Sequence, residues 1–231
     1  MTKIRPFGPD HWFVILFTLA AGLGLVLLTR PIRKLPNDRV VRQALALALL
    51  ANQLSSWIFY ITQGTVIAPL QLCDLVFFLI VWCLLTGGNQ VTNELAFFWS
   101  IAGSSQAILT PDLEAAFPNP IWARFFISHV GMVLSAIYLV VRGNVKTTPF
   151  SIWRVWLFTN LYVIVAGTLN WRFGTNFGYL SRKPEQPSLL DHLGPWPYYI
   201  FWGEFIALGI YYLCYAFSRM VEKQAQSHWD L

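Results

Sequence analysis

Four side chains with useful chemistry stand inside stretches of this sequence that are otherwise apolar. Cys73 carries a thiol, His129 an imidazole, and Asp74 and Glu204 carry carboxyl groups. An imidazole within hydrogen-bond reach of a thiol can take its proton, and the resulting thiolate is the reactive nucleophile. Asp74 follows Cys73 directly, so it is a candidate to orient His129 or to polarise a water. We therefore interpret Cys73, His129 and Asp74 as candidate catalytic residues.

The segments that must position these residues are long and nearly free of charge. Uncharged runs fill 12–29, 43–73, 75–93, 95–111, 125–141 and 155–171. Each run is at least about as long as a membrane crossing, roughly 17–25 residues, and is too long and too continuously apolar for a barrel strand. Charged residues make up 12% of the chain, against about 25% in soluble domains. The sequence therefore predicts an all-α polytopic membrane protein that forms a single domain over residues 1–231.

Proline and glycine residues mark helix ends and divide this domain into seven predicted transmembrane helices. They are expected at 11–29, 42–62, 65–87, 91–111, 120–142, 150–172 and 196–219. A dense cluster of Lys and Arg at 30–42 directly follows the first helix. By the positive-inside rule this side faces the cytoplasm, which places the N-terminus and the long loop 173–195 outside and the C-terminus in the cytoplasm.

Counting residues from the outward helix ends predicts how deep the candidate residues lie. Cys73 lies eight residues beyond 65 and His129 nine beyond 120, which is about 12–14 Å at about 1.5 Å per residue. Glu204 reaches a similar depth in the last helix. This pattern predicts an outward-facing polar cavity. The same residues also permit a purely structural interpretation, in which Cys73 and His129 pack in the bundle and Glu204 forms a hydrogen bond within it.

Several functions can be set aside on composition and spacing. The net charge is +5, yet the basic residues are scattered over loops, so no nucleic-acid partner is expected. The three cysteines lie in apolar stretches and show no zinc-type spacing, and the four histidines are scattered. Every lysine falls outside the predicted spans, which excludes a retinal Schiff base. We expect neither a metal nor a cofactor.

Six segments together resemble a known family, the bacterial YwaF-like integral membrane proteins, which are related to the eukaryotic transmembrane protein 164 acyltransferases. They are FGPDHWF (7–13), APLQLCDL (68–75), SSQAILTPDLEAAFPNP (104–120), FFISHVGM (125–132), NWRFGTNFGYLSRKP (170–184) and SLLDHLGPWPYY (188–199). The resemblance implies a seven-helix membrane fold and acyl transfer between phospholipids through a cysteine thioester. It assigns Cys73 in QLCDL as the nucleophile and His129 in ISHVG as the base. Gln71 stands where similar bacterial chains place a histidine.

On this interpretation the protein is a membrane-embedded lipid acyltransferase or lipid ester hydrolase of the bacterial cytoplasmic membrane, with membrane phospholipids as partners. Polar side chains on the outward side would bind the substrate by donating to its oxyanion or headgroup. These candidate substrate-binding residues are Gln71, Gln106, Asn170, Asn176, Tyr179, His192 and Glu204.

A second hypothesis belongs to a different class of function. In it the protein is a non-catalytic transporter or sensor that binds a small solute or a lipid. Asp74, His129 and Glu204 would then line a binding cavity, since ionisable groups inside membrane helices usually have a functional role or a partner. A third hypothesis is a structural assembly partner with neither activity. The sequence alone leaves all three hypotheses open.

Overall fold

A computed structural model of the chain describes residues 4–65 and 68–226, and this part is helical without any strand. Its nine α-helices are α1 (Pro9–Leu27), α2 (Thr29–Lys34), α3 (Arg39–Thr62), α4 (Leu72–Thr86), α5 (Gln90–Trp99), α6 (Ser105–Leu109), α7 (Pro120–Arg142), α8 (Pro149–Phe173) and α9 (Tyr198–Gln226). A π-helical segment, Ser100–Ser104, joins α5 to α6, so that 90–109 is one continuous helical run. The predicted all-helical fold is confirmed.

Five of these helices are long and apolar enough to cross a membrane: α1, α3, α7, α8 and α9. The other two predicted spans have a different form. The run 90–109 is interrupted by its π-helical turn, so neither of its α-helices reaches membrane length. Helix α4 has 15 residues, which is about 22 Å at about 1.5 Å per residue, short of a hydrocarbon core of about 30 Å.

The start of α4 differs from the prediction. The helix was expected from residue 65, but it begins at Leu72, and the described residues between Gln63 and Gln71 are turn or irregular. Gly64 is left-handed with φ +72°. Pro69 has no N–H to donate and disfavours helix at the residue before it. The depth estimate for Cys73, counted from residue 65, is therefore wrong, because Cys73 lies in the first turn of its helix.

Helix α7 is the centre of the bundle. In its most apolar stretch 61% of residues are buried, against 11–28% in the other four long helices. Close approach to α3 depends on Gly131, because a Cβ there would lie 2.8 Å from a methyl carbon of Leu49. Helices α1, α3, α4, α5 and α6 all pack against α7. The central position of α7 buries His129 within the bundle.

Charged groups close the basic end of the bundle around Asp38, just before α3. Its carboxylate accepts hydrogen bonds from Tyr138 at 3.1 Å and pairs with Arg142 at 2.9 Å and Arg42 at 3.2 Å. Burial disfavours the charged form, but these three partners outweigh it and hold the pKa of Asp38 below its ordinary value. This cluster ties α3 to the C-terminal end of α7.

Glu94 is the second buried acid at this end of the molecule. Its side chain lies in α5 and is fully buried. It pairs with Arg154 at 2.8 Å and accepts hydrogen bonds from Ser151 at 2.7 Å and Gln90 at 3.1 Å. Each charge here has a partner, as burial in a membrane protein requires. Glu94 therefore joins α5 to α8.

We predict that Asp38→Asn destabilises the protein near neutral pH by about 3 kcal/mol, since it leaves the partly buried guanidinium groups of Arg42 and Arg142 without their carboxylate. A depressed pKa adds stability above the ordinary pKa of about 3.9, and this stability is lost as the pH falls through the lower folded value. The difference between variant and wild type should therefore shrink in acid. Thermal unfolding in detergent near neutral pH and near pH 3 measures it. Asp10→Asn, outside this cluster, is the control, and an equal loss in both variants would contradict the prediction.

Candidate functional site

Cys73 is the second residue of α4, where it packs half-buried against the main hydrophobic core. The adjacent Asp74 does not reach towards α7. Its Oδ2 accepts the backbone N–H of Gln71 at 3.0 Å, which fixes the chain at the entry to α4. On the other side, the Tyr162 hydroxyl of α8 donates to the Leu70 carbonyl at 3.2 Å. The first turn of α4 is therefore fixed from both directions, and Cys73 with it.

His129 lies on α7, which packs against α4. Its ring is 8% exposed, and its Nδ1 is 2.8 Å from the Phe125 carbonyl oxygen. A carbonyl can only accept, so Nδ1 carries the proton of the neutral imidazole and Nε2 keeps its lone pair. The structure thus places a base-competent nitrogen on a helix next to the one that carries Cys73. Among the described residues no hydrogen bond joins His129 to either Cys73 or Asp74.

The loop 173–195 folds back onto the bundle and is held by the two predicted asparagines. Asn170 is 3% exposed, and its side chain accepts from Thr175 and from the Phe177 N–H and donates to the Phe177 carbonyl. Asn176 accepts from two further N–H groups of the loop and donates to the Arg182 carbonyl. Both side chains therefore use their hydrogen bonds to fix the conformation of the loop.

Gln71 and Tyr179 connect this loop to the rest of the site. Gln71 Oε1 accepts the Gly178 N–H at 2.8 Å, so the loop lies directly over the start of α4. The Tyr179 hydroxyl donates to Asp112 at 2.9 Å, and its carbonyl accepts from Tyr199 at 2.6 Å. Burial and the adjacent Asp112 carboxylate raise the pKa of Tyr179, and the nearby Cys73 acts in the same direction. Tyr179 therefore stays protonated as a donor close to Cys73.

A cavity of about 240 Å³ opens beside this loop, between the π-helical segment, α8 and α9. It brings three of the predicted residues, Gln106, Tyr179 and Glu204, into one space, and Leu72, the neighbour of Cys73, forms part of its wall. Glu204 accepts a hydrogen bond from Asn160 at 3.1 Å. Cys73 and His129 are not among the lining residues. His192 lies apart, in a shallow outer cleft of about 370 Å³ with Tyr198 and Trp202.

Several residues of this region carried too weak a sequence signal to be predicted. Tyr162 has no recognisable motif, and its role depends on the irregular entry to α4. Asp112 and Tyr199 belong to the quoted segments TPDL and GPWPYY, which would have supported them as partners of Tyr179. In the part of the chain that the structure describes, no group of three or more His, Cys, Asp or Glu residues could hold a metal ion.

We predict that Gly178→Ala loosens the loop over α4. Gly178 has φ +64°, and a Cβ there would lie 2.9 Å from the Tyr162 hydroxyl oxygen, so alanine brings both backbone strain and a clash. Gly174→Ala is the matched control, because Gly174 has φ +67° with no atom within 4 Å of its Cβ position. Backbone hydrogen exchange of residues 175–186 should rise more in Gly178→Ala than in the control. Equal exchange in both variants would show that the contact with Tyr162 is unimportant.

Comparison with known proteins identifies the family. The family model described as the TMEM164 family matches residues 6–215. Searches of curated proteins and of solved structures found no match. The match covers most of the chain, including the start of α4, the whole of α7 and the loop 173–195, and it confirms the relation that the sequence segments indicated. The chain is a helical membrane protein that belongs to the TMEM164 family.

Proposed function

We propose that this protein is a membrane-embedded lipid acyltransferase or lipid ester hydrolase that acts through a thioester on Cys73, with His129 as the base. The observation that carries the proposal is the pairing of two helices. Cys73 stands in the first turn of α4, and α7 beside it carries His129 with its Nδ1 committed to Phe125. Membership of the TMEM164 family supports the same assignment.

The chemistry follows from these groups. The Cys73 thiol gives its proton to His129 Nε2, and the sulfur attacks the carbonyl carbon of a lipid ester. A carbon–sulfur bond forms and the ester carbon–oxygen bond breaks. The leaving lysolipid oxygen takes the proton from His129. The hydroxyl of an acceptor lysolipid, or water, then attacks the thioester and regenerates the thiol, which gives transfer or hydrolysis respectively.

Groups near Cys73 would stabilise the negative charge that develops on the ester oxygen. The backbone N–H groups of the first turn of α4 and the positive end of its dipole lie beside the thiol. Asp74 then serves to hold Gln71 and the helix start rather than to take a proton. Gln106 and Glu204 contact the lipid from the cavity wall.

The proposed function sets the placement in the membrane. The chain crosses the bacterial cytoplasmic membrane seven times, with α4 and the run 90–109 as the two shorter crossings, the N-terminus outside and the C-terminus inside. The basic residues of α2 and its flanks then lie in the cytoplasm. The loop 173–195 covers the outward side, and the substrates are membrane phospholipids that enter from the bilayer.

We expect purified protein incubated with phospholipid to carry an acyl group on Cys73, detected by intact-mass and peptide mass spectrometry. Cys73→Ser should abolish the thioester and lower turnover at least about a hundredfold, since the nucleophile is lost. His129→Gln should slow acylation by about 10²–10⁴, the usual contribution of a general base.

Cys214→Ser is the control for this experiment, because Cys214 is buried in α9 and packs in the core. It should keep both the adduct and the turnover of wild type. An absence of any Cys73 adduct, together with turnover unchanged in Cys73→Ser, would refute the enzymatic proposal.

A second candidate function is non-catalytic binding of a small solute or lipid, as in a transporter or sensor. One observation favours it: Glu204 lines the cavity between the π-helical segment, α8 and α9, whereas Cys73 and His129 do not. In that case Cys73→Ala should be tolerated, while Glu204→Gln or Asp74→Asn should abolish stabilisation by added lipid. Lipid-dependent shifts of the unfolding temperature distinguish the two functions.

A further inference from the structure

The cavity between the π-helical segment, α8 and α9 is elongated. Its lining on α9 runs from Tyr199 to Tyr211, which is about 18 Å along the helix axis at about 1.5 Å per residue. One end of the lining includes Leu72 and Gly178, the residues beside Cys73 and over the start of α4. The volume of about 240 Å³ exceeds the roughly 150 Å³ that lets an apolar cavity accept a benzene molecule.

The polar residues of the cavity wall are mostly bonded to protein. Thr159 donates to the Val155 carbonyl, accepts the Trp99 indole N–H at 2.8 Å, and contacts the Tyr211 hydroxyl at 2.8 Å. Because these polar groups are bonded to one another, the wall at the Tyr211 end of the cavity presents mainly carbon atoms. A polar group on a ligand would be stabilised little at this end, because few side chains of the wall are free to form a hydrogen bond with it.

The hydroxyls at the outer end are committed in the same way. Tyr179 donates to Asp112 and Tyr199 donates to the Tyr179 carbonyl, so neither hydroxyl is free for a ligand. Most other lining side chains are leucine, isoleucine, valine or alanine. Apart from Gln106 and the Glu204 carboxylate, which accepts a hydrogen bond from Asn160, the wall therefore matches a hydrocarbon chain better than a headgroup.

Two glycines set the width of this space. Gly103 of the π-helical segment and Gly203 of α9 both line it, and these two elements pack against each other. A Cβ at Gly203 would meet no atom within 4 Å. A larger side chain at 203 would extend into the cavity without displacing the protein around it. The absence of a side chain at this position keeps the cavity continuous.

We infer that this cavity holds the acyl chain of the lipid and that Gly203 determines how long a chain it accepts. The inference rests on the proposed function only in naming the chain as part of a lipid ester. The carbonyl end lies at the Leu72 end, beside Cys73, and the methyl end points towards Tyr211. Chain-length preference is then a property of α9 rather than of the residues that do the chemistry.

The test uses the full chain in detergent, with decanoic, myristic and stearic acids as probes. Wild type should be stabilised against thermal unfolding, with an optimum chain length. Gly203→Leu should weaken binding of the longest bound acid at least about tenfold, about 1.4 kcal/mol, and shift the optimum to shorter chains. Gly209→Leu is the matched control, since Gly209 lies on the exposed part of the same helix, also with no atom within 4 Å of its Cβ position. Both variants gain the same helix propensity.

A shift of the optimum in Gly203→Leu but not in Gly209→Leu supports the inference. An unchanged chain-length profile in Gly203→Leu, or an equal change in both variants, overturns it. The mass-spectrometric assay for a Cys73 adduct separates this result from the proposed function, because binding of a free fatty acid requires no thioester. If binding follows Gly203 while no adduct forms on Cys73, the cavity assignment stands and the enzymatic proposal fails.

Discussion

The start of α4 imposes the constraint on which the rest of this region depends. A helix shorter than the bilayer begins inside the bundle, and the N–H groups of its first turn have no partners within the helix. In a membrane protein water is not freely available to satisfy them. The Asp74 N–H donates to the Gln71 carbonyl at 3.0 Å, and the Asp74 carboxylate accepts the Gln71 N–H at 3.0 Å. The Gln71 side chain in turn accepts the Gly178 N–H, so the loop 173–195 helps to hold the irregular entry, together with Tyr162.

This constraint explains why the long loop is so densely bonded. Asn170 fixes its beginning, Asp112 anchors Tyr179 and accepts the Gln186 N–H, and the Trp196 indole donates to the Leu180 carbonyl. The loop has little regular secondary structure, so side chains supply the partners that helices would otherwise provide. It completes the wall around the start of α4 and one end of the cavity. The position of Cys73 is consequently tied to residues more than a hundred positions away.

The sequence predicted the helices well where their signal was a long apolar run with proline or glycine at its ends. Helix α7 was predicted at 120–142, as found, because Pro120 begins it and Gly143 ends it in a left-handed conformation. The start of α4 was missed because residues 65–71 carry no charge and are largely apolar, so they continue the uncharged run that leads into the helix. Hydropathy measures which residues prefer lipid and carries no information on whether the backbone is helical.

For the candidate residues too, the sequence predicted some features and could not predict others. Residue type and approximate position were enough to predict that Gln106, Tyr179 and Glu204 share one cavity, because polar groups inside an apolar bundle tend to cluster. Residue type could not predict the direction of their hydrogen bonds. The side chains of Asn170 and Asn176 form hydrogen bonds within the loop. The cavity predicted to be polar is largely apolar, because the hydroxyl groups of its wall are hydrogen-bonded to the protein. Such pairings depend on rotamers and neighbours that only the folded chain defines.

The uneven burial of the helices suggests how a lipid could reach this space. Helix α7, with His129, is held on several sides, whereas only 17% and 11% of the residues in the apolar stretches of α8 and α9 are buried. Helices with few buried contacts separate at lower cost than the centre of a bundle. The seam between α8 and α9 borders the cavity, so a small separation there would admit a chain from the bilayer without moving α4 against α7. On the proposed function, the fold would combine the well-buried α7, which carries His129, with the less buried helices α8 and α9 for access.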